Sequence, residues 1–595
     1  MIIEKEDLDQ AYKNIHSQSI GEGCSVLIFV SAEPDSLCAC KILTSLFRSD
    51  YIAYKIIPVS GYNDLAVANQ SELKDSKVVR SVVMINCGGN VDISKYLSLT
   101  DQVTVYVIDS HRPYNLRNVH SEEQIAMLDV EEKKQDTYPK EDEVLTYEDE
   151  DEKLDFRDLD SKHDSEDNHS DTPSQLKKRK LDGEGIASDD RERRRNLSEY
   201  YKYSFFGTPA SCVLYDLAHS LNKSSNDLLW LAVVGMTDQF VHERTVFARY
   251  QGYWNEKWEE VTSFNATDED KENTSQHNSA ENDTLVTTPK LGFIKPSSEY
   301  RFPLLRHWTL YDSMYYSEYI STRLKVWNEW GKKRLESMLT KIGLPLIQCK
   351  QSYSIMGQDF RTSLDQQMEI YAPKYKLTSF SYHSFFKQHS ANLEVSAADV
   401  VYALAAILEV NQQEEDNEGG GWEKNFWQAY DSLAGQNVKM LQNGISAAIR
   451  IQKSVLDQAV LMINKKGFKA GSVFRYSILE DYSEPTFAKP LTLTKLAIFM
   501  TSFLQEKYQK PKPYVLCALI PKRKTFLVIG LPAFVPDGDA TETVKRNSFF
   551  SAFQQAASKT GARIRHDGFE PSTLEVQKED LLRFLEVMNN GLVDM

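Results

Sequence analysis

Short apolar runs, each followed by polar turn residues and then a helical pattern, organise the first part of the chain. They read CSVLIFV at 24–30, VVRSVVMI at 78–85 and VTVYVI at 103–108. Strands that are apolar at nearly every position are typical of a parallel sheet whose two faces are both covered by helices. We therefore predict an α/β domain built on a parallel sheet.

Polar residues come directly after these strands, in the segments SAEPDS, NCGGN and DSHRP. Residues just beyond the carboxyl ends of parallel strands line the ligand crevice of such a sheet. If the three strands are neighbours, these side chains meet there: Glu33, Asp35, Asn86, Asp109 and His111. Each of them alone could equally cap a helix or close a turn. Only their convergence would indicate a functional site.

Two polar segments interrupt the folded pattern. Residues 131–170 contain 17 Asp and Glu against 6 Lys and Arg, so they contribute −11 to the net charge of −17. This tract, with the basic residues that follow it to about 197, has too few large apolar residues to form a core. A second polar stretch, about 262–290, has the same character. We expect both to be disordered loops inserted into a domain that spans 1–300.

Two basic clusters lie at the end of the first insertion, KKRK at 177–180 and RERRR at 191–195. Their spacing suits a bipartite nuclear-import signal, although they could also simply offset the acidic tract. The import reading predicts a nuclear protein. The residues concerned are Lys177, Lys178, Arg179, Lys180, Arg193, Arg194 and Arg195.

The remainder of the chain predicts two further units. Helical periodicity from 311 to 342 and an almost wholly apolar helix at 397–410 indicate an all-helical module over 301–412. Residues 422–595 mix long helices with apolar strands, which predicts a second α/β domain. Its elements are helices at about 423–433 and 436–464, strands at 474–479, 514–521 and 525–532, and a last helix near Lys578.

Several classes of protein are excluded by what the sequence lacks. The seven cysteines form no CxxC pair, so they are expected to be reduced intracellular thiols. The polar N-terminus is no signal peptide, and no apolar run reaches the ~20 residues that cross a bilayer, so no membrane partner is expected. Neither a P-loop nor an HExxH motif occurs, which argues against an ATPase or a zincin.

Segments along nearly the whole chain resemble the cell-division-cycle forty-five family of eukaryotic replication-initiation factors. They include LIFVSAEPDSLCACKIL, INCGGNVD, VIDSHRPYNLRNV, WLAVVGMTDQFV and RHDGFEPSTLEV. That family is an offshoot of the DHH phosphoesterases, whose active members include the bacterial RecJ exonuclease. The resemblance implies a parallel-sheet DHH domain, an all-helical inter-domain module and an α/β DHHA1 domain at the C-terminus.

The resemblance also implies where a metal site would lie. Active DHH enzymes hold two Mn²⁺ or Mg²⁺ ions with Asp and His side chains, and two-metal catalysis needs several carboxylates. Carried over to this chain, the ligand positions fall on Glu33, Asp35, Asn86, Asp109, Ser110, His111 and Asp238. Asn86 replaces a carboxylate and Ser110 replaces an imidazole. We therefore expect a degenerate site with no cofactor and no catalytic residue.

The function that the resemblance implies is that of a scaffold in the replicative helicase, which joins the MCM ring to the GINS complex. Its other implied partners are replication-initiation loading factors, the DNA polymerase at the fork and single-stranded DNA. Weak binding of single strands is expected between the DHH and DHHA1 domains, with Arg112, Arg563 and Arg565 as candidate phosphate ligands. The alternative is a metal-dependent single-strand exonuclease or phosphoesterase.

Overall fold

The computed structural model describes residues 1–20, 23–121, 124–131, 138–139, 193, 195–265, 291–390, 393–410, 421–533 and 544–591. Most of the two polar insertions lies outside the described residues, and so do residues 177–180 and Arg194 of the predicted import signal. Arg193 and Arg195 lie on helical backbone just before the globular pattern resumes, and Arg195 is exposed.

A six-stranded parallel sheet forms the centre of the first domain. The strands of this region are β1 (Ile2–Ile3), β2 (Val26–Ser31), β3 (Tyr54–Val59), β4 (Ser81–Ile85), β5 (Thr104–Ile108), β6 (His111–Arg112) and β7 (Ile125–Leu128). Their order is β1-β7-β5-β4-β2-β3, while β6 pairs separately with β8 (Phe205–Phe206). Every pairing within the large sheet is parallel. The three predicted strands, β2, β4 and β5, are therefore neighbours with their carboxyl ends at one edge.

Helices cover both faces of this sheet. They are α1 (Leu8–Gln18), α2 (Pro34–Ser49), α3 (Tyr62–Ala68), α4 (Leu116–Val119), α5 (Ala210–Ser220), α6 (Asn226–Val241) and α7 (Phe247–Asn265). Alternate residues of β2 enter different cores, Ile28 with α2, α5 and α6, and Phe29 with α3. Every residue of α6 from 228 to 239 is buried, as expected for a helix that is apolar all round.

The middle module is helical from 305 to 375, but it is bordered by a sheet that the sequence did not predict. Its elements are β9 (Ile294–Tyr300), α8 (Leu310–Tyr316), α9 (Glu318–Leu324), α10 (Glu329–Lys341), α11 (Leu346–Cys349), α12 (Gln358–Tyr371), β10 (Ser381–Ser390), β11 (Leu393–Ser396) and α13 (Ala397–Glu409). The three strands form an antiparallel sheet. Strand β10 has no regular alternation, and its placement depends on aromatic packing such as Phe385 against Trp254.

The periodic stretch from 311 to 342 is three helices rather than one. Ser317 caps α9 through its side chain and so ends α8. Lys325 then adopts a left-handed conformation (φ 59°), and Asn328 caps α10. The apolar spacing continues across these breaks because all three helices face the same core.

The C-terminal region contains a second, mixed sheet. Its elements are α14 (Gly421–Ser432), α15 (Val438–Asn464), β12 (Lys469–Ala470), β13 (Arg475–Leu479), α16 (Pro490–Tyr508), β14 (Tyr514–Ile520), β15 (Thr525–Leu531), α17 (Phe549–Thr560), β16 (Ile564–Arg565), β17 (Thr573–Gln577) and α18 (Leu581–Gly591). The strand order is β12-β13-β14-β15-β17-β16. Only β13 and β14 are parallel within this sheet. The predicted class, a parallel-sheet α/β domain followed by helices and a second α/β domain, is confirmed.

The three modules pack as one body. Helix α14 and the first half of α15 bury residues such as Phe426, Leu441 and Ile445 in the core of the first domain. None of the helices in the described part of the chain is long and apolar enough to cross a membrane.

Candidate functional site

The turn after β2 carries the first two acidic side chains of the crevice. Glu33 is the N-cap of α2 with extended backbone (φ −130°), and Pro34 takes the first helical position, where proline is favoured. Asp35 follows in the first turn of the helix. Because β2 pairs directly with β4, both carboxylates stand beside the turn that follows β4.

Asp35 binds the N-terminus of α5. Its Oδ2 accepts a hydrogen bond from Ala210 N (2.8 Å), and its Oδ1 accepts from Ser211 N (3.1 Å) and Ser211 Oγ (2.6 Å). A Cβ at Gly235 of α6 would collide with Ser211 Oγ and Asp35 Oδ1, so this close approach requires glycine. Burial raises the pKa of Asp35, although hydrogen bonds from Ser211 and Asn86 oppose the rise.

Asn86 connects the turns that follow β2, β4 and β5. Its Nδ2 donates to Asp35 Oδ2 and to Ser36 Oγ, each at 2.9 Å, and its Oδ1 accepts from Ser110 N at 2.9 Å. The backbone is left-handed here (φ 50°), which asparagine tolerates better than most residues. A carboxylate at this position could donate nothing and would place a second negative charge beside Asp35. The neutral amide of Asn86 therefore links the three turns by hydrogen bonds and adds no negative charge.

Asp109 and His111 form a buried pair. Asp109 Oδ2 accepts from Gly89 N (2.8 Å), while its Oδ1 accepts from the backbone N of His111 (2.9 Å) and lies 2.7 Å from His111 Nδ1. Burial opposes the charged carboxylate, but His111 outweighs it and lowers the pKa of Asp109. Burial likewise opposes the imidazolium, yet Asp109 raises the pKa of His111 to about 9. His111 Nε2 has no hydrogen-bond partner among the described residues and lies 3.8 Å from Glu33 Oε1.

Arg244 is the principal residue of the crevice that sequence analysis missed. Its Nη1 lies 3.1 Å from Glu33 Oε2 and 3.4 Å from Asp238 Oδ2, and its Nη2 lies 3.7 Å from Glu570 Oε2. Asp238 also accepts from His242 Nδ1 at 2.8 Å. Burial works against the charge of Asp238, but His242 and Arg244 lower its pKa. No local motif marks Arg244, because it lies on the turn between α6 and α7.

The carboxylates of the crevice all accept hydrogen bonds from donors of the protein itself. In the part of the chain that the structure describes, no group of three or more His, Cys, Asp or Glu side chains is arranged to hold a metal ion. Both oxygens of Asp35 and both of Asp109 accept hydrogen bonds from protein donors. Glu33 and Asp238 face the guanidinium of Arg244.

The comparisons with known proteins agree over nearly the whole chain. A family model described as CDC45 matches residues 26–591. The chain is 32% identical to the cell division control protein 45 homolog of Schizosaccharomyces pombe, over 99% of both chains. It is 30% identical to the human cell division control protein 45 homolog, over 95% of this chain and 96% of the human one.

The chain belongs to the CDC45 family. A solved structure, the crystal structure of CDC45 from Entamoeba histolytica, matches with a TM-score of 0.66 and 22% identity over 99% of both chains, which shows a common fold. The CDC45 family consists of DNA replication factors. The resemblance expected from the sequence segments is thus confirmed.

One of the three arginines predicted to bind DNA in this CDC45-family chain, Arg112, is buried. Arg112 is only 6% exposed. Its Nη1 donates to Asp109 O (2.6 Å), its Nη2 donates to Asp129 Oδ1 (3.1 Å), and its guanidinium lies 3.7 Å from the centre of the Tyr114 ring. The Arg112 guanidinium therefore holds the turn after β5 in place and is not available to a phosphate.

Arg563 and Arg565 are accessible, but each is ion-paired. Arg563 binds Glu579 (2.5 Å) and Asp580 (3.0 Å), and Arg565 binds Asp567 (2.7 Å). A DNA phosphate would have to compete with these carboxylates. The two arginines remain candidate phosphate ligands, in competition with their carboxylate partners.

The second α/β domain closes over the crevice through the loop 566–570. Tyr62 N donates to Asp567 O and Asn63 N donates to Asp567 Oδ1, each at 2.9 Å. Beside this contact lies a cleft of about 350 Å³. Its charged lining residues are Glu33, Glu243, Arg244, Glu409, Lys489, Arg523, Lys545 and Glu570. Four of these are basic and four acidic, so the formal charges of the described lining residues balance.

Proposed function

We propose that this chain is a non-catalytic scaffold of the eukaryotic replicative DNA helicase that joins the MCM ring to the GINS complex. Membership of the CDC45 family over 26–591 supports the role in replication. The observation that supports a non-catalytic role is the crevice itself, where Asp35, Asp109, Glu33 and Asp238 all bind protein donors.

The proposal extends to the other partners and to the location. Replication-initiation loading factors and the DNA polymerase at the fork are the expected contacts of such a subunit. Single-stranded DNA is expected to bind weakly, because the cleft has balanced charges and offers no strong field for phosphate. The basic clusters at 177–180 and 191–195 are proposed to direct nuclear import.

The rival function is that of a metal-dependent exonuclease or phosphoesterase. One observation favours it: the free Nε2 of His111 points toward Glu33 Oε1 at 3.8 Å, and two such groups are possible metal ligands. Against it stand the amide of Asn86 and the guanidinium of Arg244.

Two assays test the proposal together. The purified full chain, incubated with labelled single-stranded DNA or with pyrophosphate in Mn²⁺, is expected to show no turnover. Separately, the tagged chain is expected to co-purify MCM and GINS subunits from replicating cells. Metal-dependent turnover that disappears in Asp109→Ala would favour the hydrolase. Failure to recover either complex would contradict the proposed scaffold function.

A further inference from the structure

Arg244 occupies an unusual position for a buried cation. The carboxylates around it come from three separate places: Glu33 before α2, Asp238 on α6, and Glu570 in the second α/β domain. The Arg244 side chain is 12% exposed, and the Asp238 side chain is fully buried. The ring of Phe206 lies 4.8 Å from the guanidinium carbon and shields it from one side.

Arg244 is the cation that all three carboxylates of this cluster share. Glu33, Asp238 and Glu570 all lie within 3.7 Å of its two terminal nitrogens. A set of buried carboxylates needs a compensating cation, because an uncompensated charge in a poorly solvated site is costly. A hard divalent cation is the common solution at carboxylate clusters, and a guanidinium with its fork of donors is another.

The same guanidinium also reaches across the boundary between the domains. Glu570 is the last residue of the loop whose Asp567 accepts from the backbone of Tyr62 and Asn63. Nearby, Asn90 Nδ2 donates to Phe569 O at 3.3 Å. These contacts are hydrogen bonds. Arg244 and Glu570 add an ion pair at the same domain boundary.

We infer that Arg244 is a built-in cation that takes the place of a metal ion in the crevice and uses its charge to hold the two α/β domains together. This inference rests on the proposed non-catalytic function and deepens it. The acidic residues then serve to fix the arrangement of domains on which a scaffold depends. Removal of Arg244 should convert the pocket into a weak site for a divalent cation.

The test compares full-length Arg244→Ala with wild type and with Arg249→Ala. Arg249 is a matched control because its side chain is similarly buried (17% exposed) and ion-paired, but its carboxylate is Glu131 of the same domain. Thermal midpoints are measured with and without millimolar Mn²⁺. Both variants are expected to lose about 2–4 °C. Mn²⁺ should restore at least half of that loss in Arg244→Ala and none in Arg249→Ala.

Direct binding gives an independent readout. Titration of Mn²⁺ followed by electron paramagnetic resonance should detect one bound ion in Arg244→Ala that is absent from wild type and from Arg244→Lys. Adding Glu33→Gln to Arg244→Ala should abolish it. Wild type that binds Mn²⁺ as well as Arg244→Ala does would overturn the inference, and so would an Arg244→Ala protein that is fully stable and binds no ion.

A milder variant covers the case in which Arg244→Ala does not fold. Glu570→Gln removes only the ion pair between the domains. Hydrogen exchange at the amides of Tyr62 and Asn63 is then expected to speed up by about tenfold or more, since their protection depends on domain closure. Unchanged exchange would contradict the bridging role. Neither measurement depends on nuclease turnover, so the inference and the proposed function fail separately.

Discussion

Two buried polar regions of the molecule differ in how their charged side chains are compensated. One is the crevice at the carboxyl edge of the parallel sheet. The other is a central cavity of about 250 Å³ between the three modules, whose lining includes Glu318, Tyr402, Gln452 and Lys495. In the crevice the carboxylates face guanidinium, imidazole or amide donors. In the cavity Lys495 lies 4.2 Å from the centre of the Tyr402 ring.

The difference appears in the protonation of the two regions. In the crevice, the imidazole partners outweigh burial and lower the pKa of Asp109 and Asp238, which therefore stay charged. In the cavity, burial raises the pKa of Glu318 to about 7 and lowers the pKa of Lys495 to about 7. Burial alone drives a group toward its neutral form, and only a close partner of opposite charge prevents this. Asp109 and Asp238 thus carry fixed charges in the crevice, while Glu318 and Lys495 of the cavity titrate near neutral pH.

The largest effect is expected from Asp35→Ala in the crevice. The change leaves the N–H groups of Ala210 and Ser211 and the amide of Asn86 without their acceptor. Each buried unsatisfied group costs about 1–3 kcal/mol, so the free energy of unfolding should fall by about 3–5 kcal/mol in urea denaturation.

Asp101→Ala is the matched control for this change. Asp101 is an exposed aspartate of the same domain, and its removal should cost less than about 0.5 kcal/mol. A loss below about 1 kcal/mol in Asp35→Ala would mean that the network is not a stabilising unit.

The central cavity predicts a change of opposite sign. Lys495→Met should raise the free energy of unfolding by about 2–3 kcal/mol below pH 7, because a poorly solvated ammonium is removed. The folded pKa of about 7 lies below the ordinary 10.5, so the unfolded chain binds more protons between these values. Stability of the wild type therefore rises with pH over this window, and the gain from Lys495→Met shrinks from pH 7 toward pH 10.5.

Denaturation of Lys495→Met at several pH values checks both the sign and the window. The control is Lys489→Met, an exposed lysine just before α16, which should change stability by less than about 0.5 kcal/mol at every pH. A gain that is constant with pH would show that packing, not charge, is responsible.

How far the sequence predicted these regions depends on the kind of signal. The ends of strands β2, β4 and β5 lie within three residues of their predicted positions. A short unbroken apolar run between turn residues is typical of a buried strand. The convergence of Glu33, Asp35, Asn86, Asp109 and His111 followed from the position of strand ends in a parallel sheet. Those signals are local or topological, and they carry over to the structure.

The remaining features depend on contacts between distant residues. Arg244 meets Glu570 more than 300 positions away, and nothing in either local segment indicates this. Arg112 looked accessible beside His111, but a cation is exposed or buried according to what packs around it, here Asp129 and Tyr114. Strand β10 was missed because its pattern is set by aromatic packing rather than alternation.

The smallest effect is expected at the surface, from Arg563→Glu/Arg565→Glu. Both arginines are ion-paired at the edge of the second sheet, and exposed ion pairs contribute about 0–1 kcal/mol, so the thermal midpoint should hardly change. Affinity for a labelled single strand should fall about two- to fourfold at low salt, and the log–log salt slope by at most about 1.4 for two phosphates. Anisotropy titrations at several salt concentrations measure both. Lys465→Glu/Lys466→Glu, at the end of α15, makes the same change in net charge on another exposed surface. Equal losses in the two double variants would mean that only overall charge matters, whereas a slope that changes only for Arg563 and Arg565 would locate the single strand at the junction of the two α/β domains.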